Sequence, residues 1–367
     1  MLRILPLTLG LALVSAVASA QSQPSKTFDM YVIDTEGGHA VLYVSPSGES
    51  LLEDTGNPGG RDTDRIMEAI HAAGVKQIDH LILTHYHVDH VGGLSELAKR
   101  IAIKHYIDHG PTVEAHEQVP DFQKTYAELY KSAKHTVVKP GDKIPLAGVD
   151  VTVVTSAGQV IETPLPGGGQ PNPACADFKP RDESHVDPEN PQSVGVVYTF
   201  GRFRSVNLGD YTWNAEEKLM CPNNPIGKVD LYLTSHHGID QSGSPALVHG
   251  LAPEVAVMHN SLRKGGAVQT MQMLYTSPGL ENVWQLHWAY AAGLEWNTPG
   301  VFIANPEDPE VVASILTKAP LGGPGSHAGH NSGPAYWIKV SAHSDGTFTV
   351  TNTRNNFSKT YPGNRRP

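Results

Sequence analysis

Cysteine is scarce in this chain: Cys175 and Cys221 are the only two among 367 residues. Neither lies among the other metal-type residues, so both read as structural. Charge is thin as well. Asp, Glu, Lys and Arg make up 17% of the sequence, below the roughly 25% of an ordinary soluble domain. This excludes a coiled coil and a highly charged disordered chain. Basic residues are the minority, 27 against 37 acidic, for a formal net charge of -10. A basic nucleic-acid-binding surface covering the whole protein is therefore excluded. Long apolar runs are confined to the N-terminus, and no second one of membrane-spanning length follows. Glycine (36) and proline (28), by contrast, are plentiful and indicate many turns, and histidine reaches 19. Neutral imidazole is the commonest metal ligand, so the spacing of these histidines carries the argument.

Residues 1–20 have the pattern of a secretory signal. Arg3 gives a short basic start, residues 4–17 are almost wholly apolar, and Ala18-Ser19-Ala20 fits a small-x-small cleavage site before Gln21. Removal of this segment would leave the chain one charge more negative, exported to the periplasm or secreted, with no membrane span. In that compartment Cys175 and Cys221, 46 residues apart, are expected to form a disulfide. Closing a loop of that length is worth about 4 kcal/mol on chain entropy.

Short β-rich runs at 28–33, 40–44 and 50–53 are separated by the turn sequences Glu36-Gly37-Gly38 and Ser45-Pro46-Ser47-Gly48. Asp62 is expected to cap a helix that ends at Gly74. A buried-type strand at 80–84 and a helix at 94–101 follow. Residues 111–134 look helical but are interrupted by Pro120. Residues 156–192 are rich in Pro, Gly and polar groups with almost no period, and read as a surface insertion. Strands at 194–200, 204–208, 228–234 and 254–258 then alternate with helices at 214–220, 245–250 and 267–275. Strands at 336–340 and 348–351 form a C-terminal addition. Strands then helices, twice over, suggest two β-sheets covered by helices.

The sharpest local signal is His85-Tyr86-His87-Val88-Asp89-His90-Val91-Gly92-Gly93, entered from a strand through Thr84. Residues two apart at a strand end project to one side, so His85 and His87 can converge. Asp89 and His90 occupy the turn beyond, and the two glycines permit close backbone approach before the next helix. Three imidazoles and a carboxylate form a donor set for Zn²⁺ first, with Mn²⁺ or Fe²⁺ as alternatives. A second feature, Asn260-Ser261-Leu262-Arg263-Lys264-Gly265-Gly266, joins a strand to a helix. There Asn260, Arg263 and Lys264 are candidate contacts for a substrate anion. His287, between Trp284 and Trp288, reads as packing in an aromatic cluster, and His105 and His109 as solvent-facing or locally paired.

The run His85-x-His87-x-Asp89-His90 resembles the signature of the metallo-β-lactamase-fold superfamily. Asp54-Thr55-Gly56 is similar to its early Asp-x-Gly turn and Asn207-Leu208-Gly209-Asp210 to its Gly-Asp motif. Ser235-His236-His237-Gly238 is similar to the final His motif. The resemblance, which extends from about Asp29 to Met258, implies an α/β, four-layer αββα sandwich, expected as one domain over residues 21–320 and followed by the small C-terminal β addition over 321–367. It implies one or two divalent ions held by His85, His87, Asp89, His90 and a bridging Asp210. His236 or His237 would add one further ligand; His236 comes first after its strand, but spacing does not separate the two. The third site-one His usual in the superfamily is missing before the strand leading to Asp210, and His185 is the nearest substitute. The opening run 33–40 and the His-His-Gly triplet look most like the nuclease-like domain of DNA-uptake competence proteins.

A bound divalent ion lowers the pKa of its water to about 7 and polarises a substrate oxygen. The resemblance therefore implies a metallo-hydrolase that uses metal-bound hydroxide on an ester or phosphodiester, with Asp89 as a ligand that also orients the water or acts as base. Hydrolysis of a β-lactam or lactone on the same site is the alternative, and a non-catalytic secreted binding module is a third reading. The expected partner is a small-molecule or ester substrate. Net negative charge opposes a long nucleic acid unless the cleft is locally basic.

Overall fold

The computed structural model describes residues 27–113, 119–306 and 334–364. The expected leader at 1–20 lies outside the described residues.

The first half of the chain builds one sheet. Its strands are β1 (Phe28–Val32), β2 (Val41–Val44), β3 (Ser50–Glu53), β4 (His80–Ile82), β5 (His105–Asp108) and β6 (Lys134–Val137). Helices α1 (Arg61–Ala72), α2 (Val88–Val91), α3 (Leu94–Arg100) and α4 (Val119–Leu129) lie between them. The second sheet begins with β7 (Lys143–Ile144) and β8 (Asp150–Ser156), to which the short β9 (Gln159–Val160) pairs. A two-stranded ribbon joins β10 (Gln170–Pro171) to β13 (Asn223–Asn224), flanking β11 (Gly195–Phe200), β12 (Phe203–Asn207) and α5 (Trp213–Met220) in the chain. Then come β14 (Leu231–Leu233), α6 (Pro245–Leu251), β15 (Val255–Met258), α7 (Val268–Tyr275), β16 (Asn282–His287), α8 (Gly293–Trp296) and β17 (Ile303–Asn305). The chain closes with β18 (Ile338–Ala342), β19 (Phe348–Asn352) and β20 (Phe357–Tyr361).

Two nine-stranded sheets result. One runs β20-β19-β18-β1-β2-β3-β4-β5-β6 and the other β17-β16-β15-β14-β12-β11-β8-β7, with β9 on β8. The last three strands join the first sheet because β18 pairs antiparallel with β1, Met30 opposite Val340. Alternation along each strand explains the stacking. Phe28, Met30 and Val32 face inward and meet Val196, Tyr198, Leu231 and Val257 of the second sheet. Tyr31, Leu42 and Leu52 face outward and are covered by Ile66 and Ile70 of α1 and Leu97 of α3. On the far side Val197, Val206 and Tyr232 pack under Leu219, Leu247, Leu251 and Met271 of α5, α6 and α7. The layering is helix, sheet, sheet, helix, the αββα sandwich expected.

Two local expectations are corrected. Helix α1 starts at Arg61, so Asp62 lies inside its first turn, where its carboxylate accepts from the Asn57 N–H at 2.7 Å instead of capping. Pro120 sits in the first turn of α4, where its missing N–H is harmless, so it opens the helix and does not break it. Strands β16 and β17 were not legible from pattern. The Cys175–Cys221 disulfide is present, with the two Cα atoms 5.9 Å apart. It ties the segment before β11 to the end of α5.

Candidate metal centre

The centre lies where strand ends of both sheets meet. β4 leads into Thr84-His85-Tyr86-His87 and then α2, which carries Asp89 and His90. Close packing of this loop requires glycine. A Cβ on Gly93 would stand 2.2 Å from the Thr55 carbonyl oxygen, and one on Gly92 2.3 Å from that of Val88. From the other sheet, Asp210 follows β12, and His236 and His237 follow β14. Both histidines have positive φ, 52° and 55°. Non-glycine residues there pay about 1–3 kcal/mol each, and this cost accumulates at functional sites. Here the unusual backbone lets two consecutive rings reach the same carboxylate.

Asp210 is the hub. Its Oδ1 lies 3.3 Å from His90 Nε2, and its Oδ2 lies 3.3 Å from both His236 Nε2 and His237 Nε2 and 3.9 Å from His85 Nε2. Asp89 Oδ2 is 3.3 Å from His237 Nε2 and 3.6 Å from His90 Nε2. One ligand atom each from Asp89, His90, Asp210 and His237 falls within 4.8 Å of all the others, and all four side chains are buried. His90 Nε2, His237 Nε2 and Asp210 Oδ1 have no hydrogen-bond partner. Buried polar atoms are normally paired. Three left unpaired around one point, two imidazole nitrogens and a carboxylate oxygen, fit a divalent cation. His85 Nε2 and His87 Nδ1 approach to 2.9 Å beside this set, so the rings converge as their spacing predicts.

Outer contacts fix the rings. Asp54 Oδ2 lies 2.7 Å from His90 Nδ1 and 3.0 Å from His39 Nδ1, and it accepts the Thr84 hydroxyl at 2.7 Å while Oδ1 accepts the Thr84 N–H at 2.8 Å. A carboxylate on Nδ1 leaves the Nε2 lone pair of His90 aimed at the centre. Burial alone would raise the pKa of Asp54, yet His90 and His39 hold it below the usual range. On the other flank Asp187 Oδ2 is 3.0 Å from His87 Nε2. Burial would lower the pKa of His87; Asp187 reverses this and raises it. Burial drives His85 well below its ordinary value and His236 down to about 3, so both stay neutral and able to ligate. Asp89 and Asp210 are held well below the carboxylate range despite burial, the first mainly by Lys264 and the second by His237 and His236.

The structure thus gathers His85, His87, Asp89, His90, Asp210, His236 and His237 at one centre. His237 touches both carboxylates, whereas His236 is placed on Asp210 alone. His185 is exposed and lines a surface cavity with Arg181, Asp182 and Trp213, away from these rings. Asp187, two residues on, makes the contact instead. Lys264 reaches Asp89 Oδ2. Asn260 is turned inward, its amide donating to the His287 carbonyl at 2.8 Å, and buried Arg263 has its backbone N–H on Ser261 Oγ. Sequence reasoning missed Asp187, His39 and His259. His259 is buried with neither ring nitrogen hydrogen-bonded, 5.1 Å from the ring of His237.

Three further histidines differ from expectation. His287 Nε2 pairs with Asp34 Oδ1 at 2.7 Å, in a buried cluster with Glu36 and Arg65. His109 is buried on Glu189 at 2.8 Å, and His105 is buried against His80 with Nδ1 atoms 3.0 Å apart. Glu189 also accepts from the Thr112 hydroxyl and Val113 N–H, which anchors the loop bearing Asp187.

With this geometry in place, residues 33–171 match the sequence profile of the metallo-beta-lactamase superfamily. Over those residues the chain is similar to that superfamily. Members of this superfamily bind divalent metals, and the His/Asp cluster here suits such an ion. A ribonuclease Z of Methanopyrus kandleri is 34% identical over 143 residues, 36% of this chain and 47% of that protein. The competence protein ComA of Neisseria gonorrhoeae is 24% identical over 237 residues, 65% of this chain and 28% of that protein. The chain therefore spans less than half the length of either relative. Among solved structures, a diphosphatase from the PhnP family is 15% identical, covering 70% of this chain and 94% of its own, with a TM-score of 0.39.

Proposed function

We propose that this chain is a member of the metallo-beta-lactamase superfamily and an exported metal-dependent hydrolase that cleaves an ester, with a small phosphodiester as its preferred substrate. The observation that carries the reading is the set of unpaired buried atoms, His90 Nε2, His237 Nε2 and Asp210 Oδ1, converging with Asp89. Zn²⁺ suits this nitrogen and oxygen set best, ahead of Mn²⁺ or Fe²⁺. When bound, such an ion activates water at neutral pH and polarises the substrate oxygen. The chain's own residues do the rest. Asp54 and Asp187 hold the rings of His90 and His87 in place, and Asp89 and Asp210 orient the water toward the substrate.

Similarity to a ribonuclease supports a phosphodiester over a carbonyl ester. The net charge of -10 opposes a long polyanion and directs the reading to a small one. Export is supported by the leader-like residues 1–20 and by the Cys175–Cys221 disulfide, which persists in oxidising compartments. Among the described residues no helix is long and apolar enough to cross a membrane.

The test is metal content by elemental analysis, combined with turnover of phosphodiester, carboxylic ester, lactone and β-lactam reporters before and after chelation. Chelator-sensitive turnover led by the phosphodiester is expected. Turnover led by the lactone or β-lactam would replace the substrate assignment. Absence of both metal and turnover would leave a binding module.

A further inference from the structure

Lys264 belongs to a tight turn after β15. Ser261 Oγ accepts from the Lys264 N–H at 2.9 Å, and the Ser261 N–H donates to the Lys264 carbonyl at 2.9 Å. The loop after β1 presses on this turn. Gly37 has φ 84°, and a Cβ there would lie 3.0 Å from Ser261 Oγ and 3.2 Å from Lys264 Cβ. The base of the lysine is therefore fixed, and its ammonium meets Asp89 Oδ2 with only 20% of the side chain exposed. That same oxygen faces His237 Nε2 at 3.3 Å and His90 Nε2 at 3.6 Å. One carboxylate oxygen is thus shared between a built-in cation and the donor set that suits a metal ion.

We propose that Lys264 is an internal counter-cation that competes with a divalent ion for Asp89 and limits the centre to one tightly held ion. This rests on the metal-centre reading of the preceding subsection. The charge balance supports it. Asp89, Asp210 and the buried Asp54 behind His90 bring three negative charges, and Lys264 cancels one of them. A single divalent ion then leaves the centre near neutral, whereas two would leave about +2 in a buried site, where uncompensated charge is costly. Without Lys264 the three carboxylates could offset a second ion more fully.

The experiment titrates Zn²⁺ alone into metal-free full-length protein against a chromogenic chelator, with ions counted after gel filtration. Wild type should retain about one ion per chain. Lys264→Met should retain about two, with the second bound at least about tenfold tighter than in wild type, because a positive charge within contact of a ligand oxygen has been removed. Lys264→Arg keeps the cation and should resemble wild type, and Lys264→Gln serves if the Met variant folds poorly. In an Asp89→Asn background the Met substitution should gain nothing. Two tight ions in wild type, or a second site in Lys264→Met no tighter than before, overturns the proposal while leaving the hydrolase reading intact. No Zn²⁺ bound by wild type overturns both.

Discussion

His87 Nε2 lies 3.0 Å from Asp187 Oδ2, so the ring's other nitrogen, Nδ1, is turned to meet His85 Nε2 at 2.9 Å. A carboxylate behind a ligating imidazole fixes its tautomer and orientation, and removing one weakens metal affinity by about 10–100-fold. Asp187→Ala should therefore lower metal affinity by about tenfold with little change in melting temperature, measured by chelator competition. His185→Ala should leave it unaltered. An equal loss in both variants would mean that the loop as a whole, and not Asp187, supports the ring.

Asp54 is a stricter case. Its carboxylate is fully buried and shared by Thr84, His39 and His90. Asp54→Ala strands two imidazoles and a hydroxyl in the interior, and a loss of about 3 kcal/mol or more is expected. Asp54→Asn retains the shape and one acceptor, and should cost less stability while still weakening metal binding. Denaturant unfolding with and without metal separates the two effects.

His87→Ala and Asp89→Ala remove donors from the centre itself. Both should abolish chelator-sensitive turnover and reduce metal content, as read by elemental analysis of purified variants. Full activity in either would sink the site assignment.

How legible this centre was depends on how local each contact is. His85, His87, Asp89 and His90 sit within six residues of a strand end, so period and turn chemistry place them together, and the Gly-Asp and His-His-Gly motifs mark the other sheet's contribution. Asp187 lies in a segment with no periodicity, and its contact depends on Glu189 being anchored by His109 and Thr112. Lys264 was expected to meet a substrate anion. That it meets Asp89 follows from the stacking of the two sheets, which no spacing encodes. The same holds for β16 and His287, whose partner Asp34 comes from the other sheet's first loop.

The disulfide offers a test independent of the centre. Cys175 and Cys221 close a span of 46 residues, worth about 4 kcal/mol through loss of unfolded-state entropy. The Cys175→Ser/Cys221→Ser double variant should unfold at lower denaturant concentration by about 2–4 kcal/mol, and reductant should shift wild type alone. Identical unfolding of wild type with and without reductant would mean that the bond adds nothing to stability.

Glu53 gives the protein a pH dependence of unusual sign. Its side chain is buried between the sheets, where Tyr43 donates to Oε2 and the Asn207 amide donates at 2.7 Å. Burial pushes its pKa up to about 8; the neighbouring Asp54 charge adds to this, and the Tyr43 and Asn207 hydrogen bonds offset it in part. An unfolded chain releases this proton near the ordinary value of 4.5. Between those limits the native state holds the proton and the unfolded state does not, so stability falls as pH rises, by at most about 1.4 kcal/mol per pH unit for one proton. Glu53→Gln reproduces the neutral acid and has no proton to lose. The variant should match wild type in denaturant unfolding near pH 4.5 and exceed it increasingly toward pH 8, with a constant difference beyond. A difference independent of pH would mean that Glu53 is ionised in the native protein, with its charge compensated by Tyr43 and Asn207.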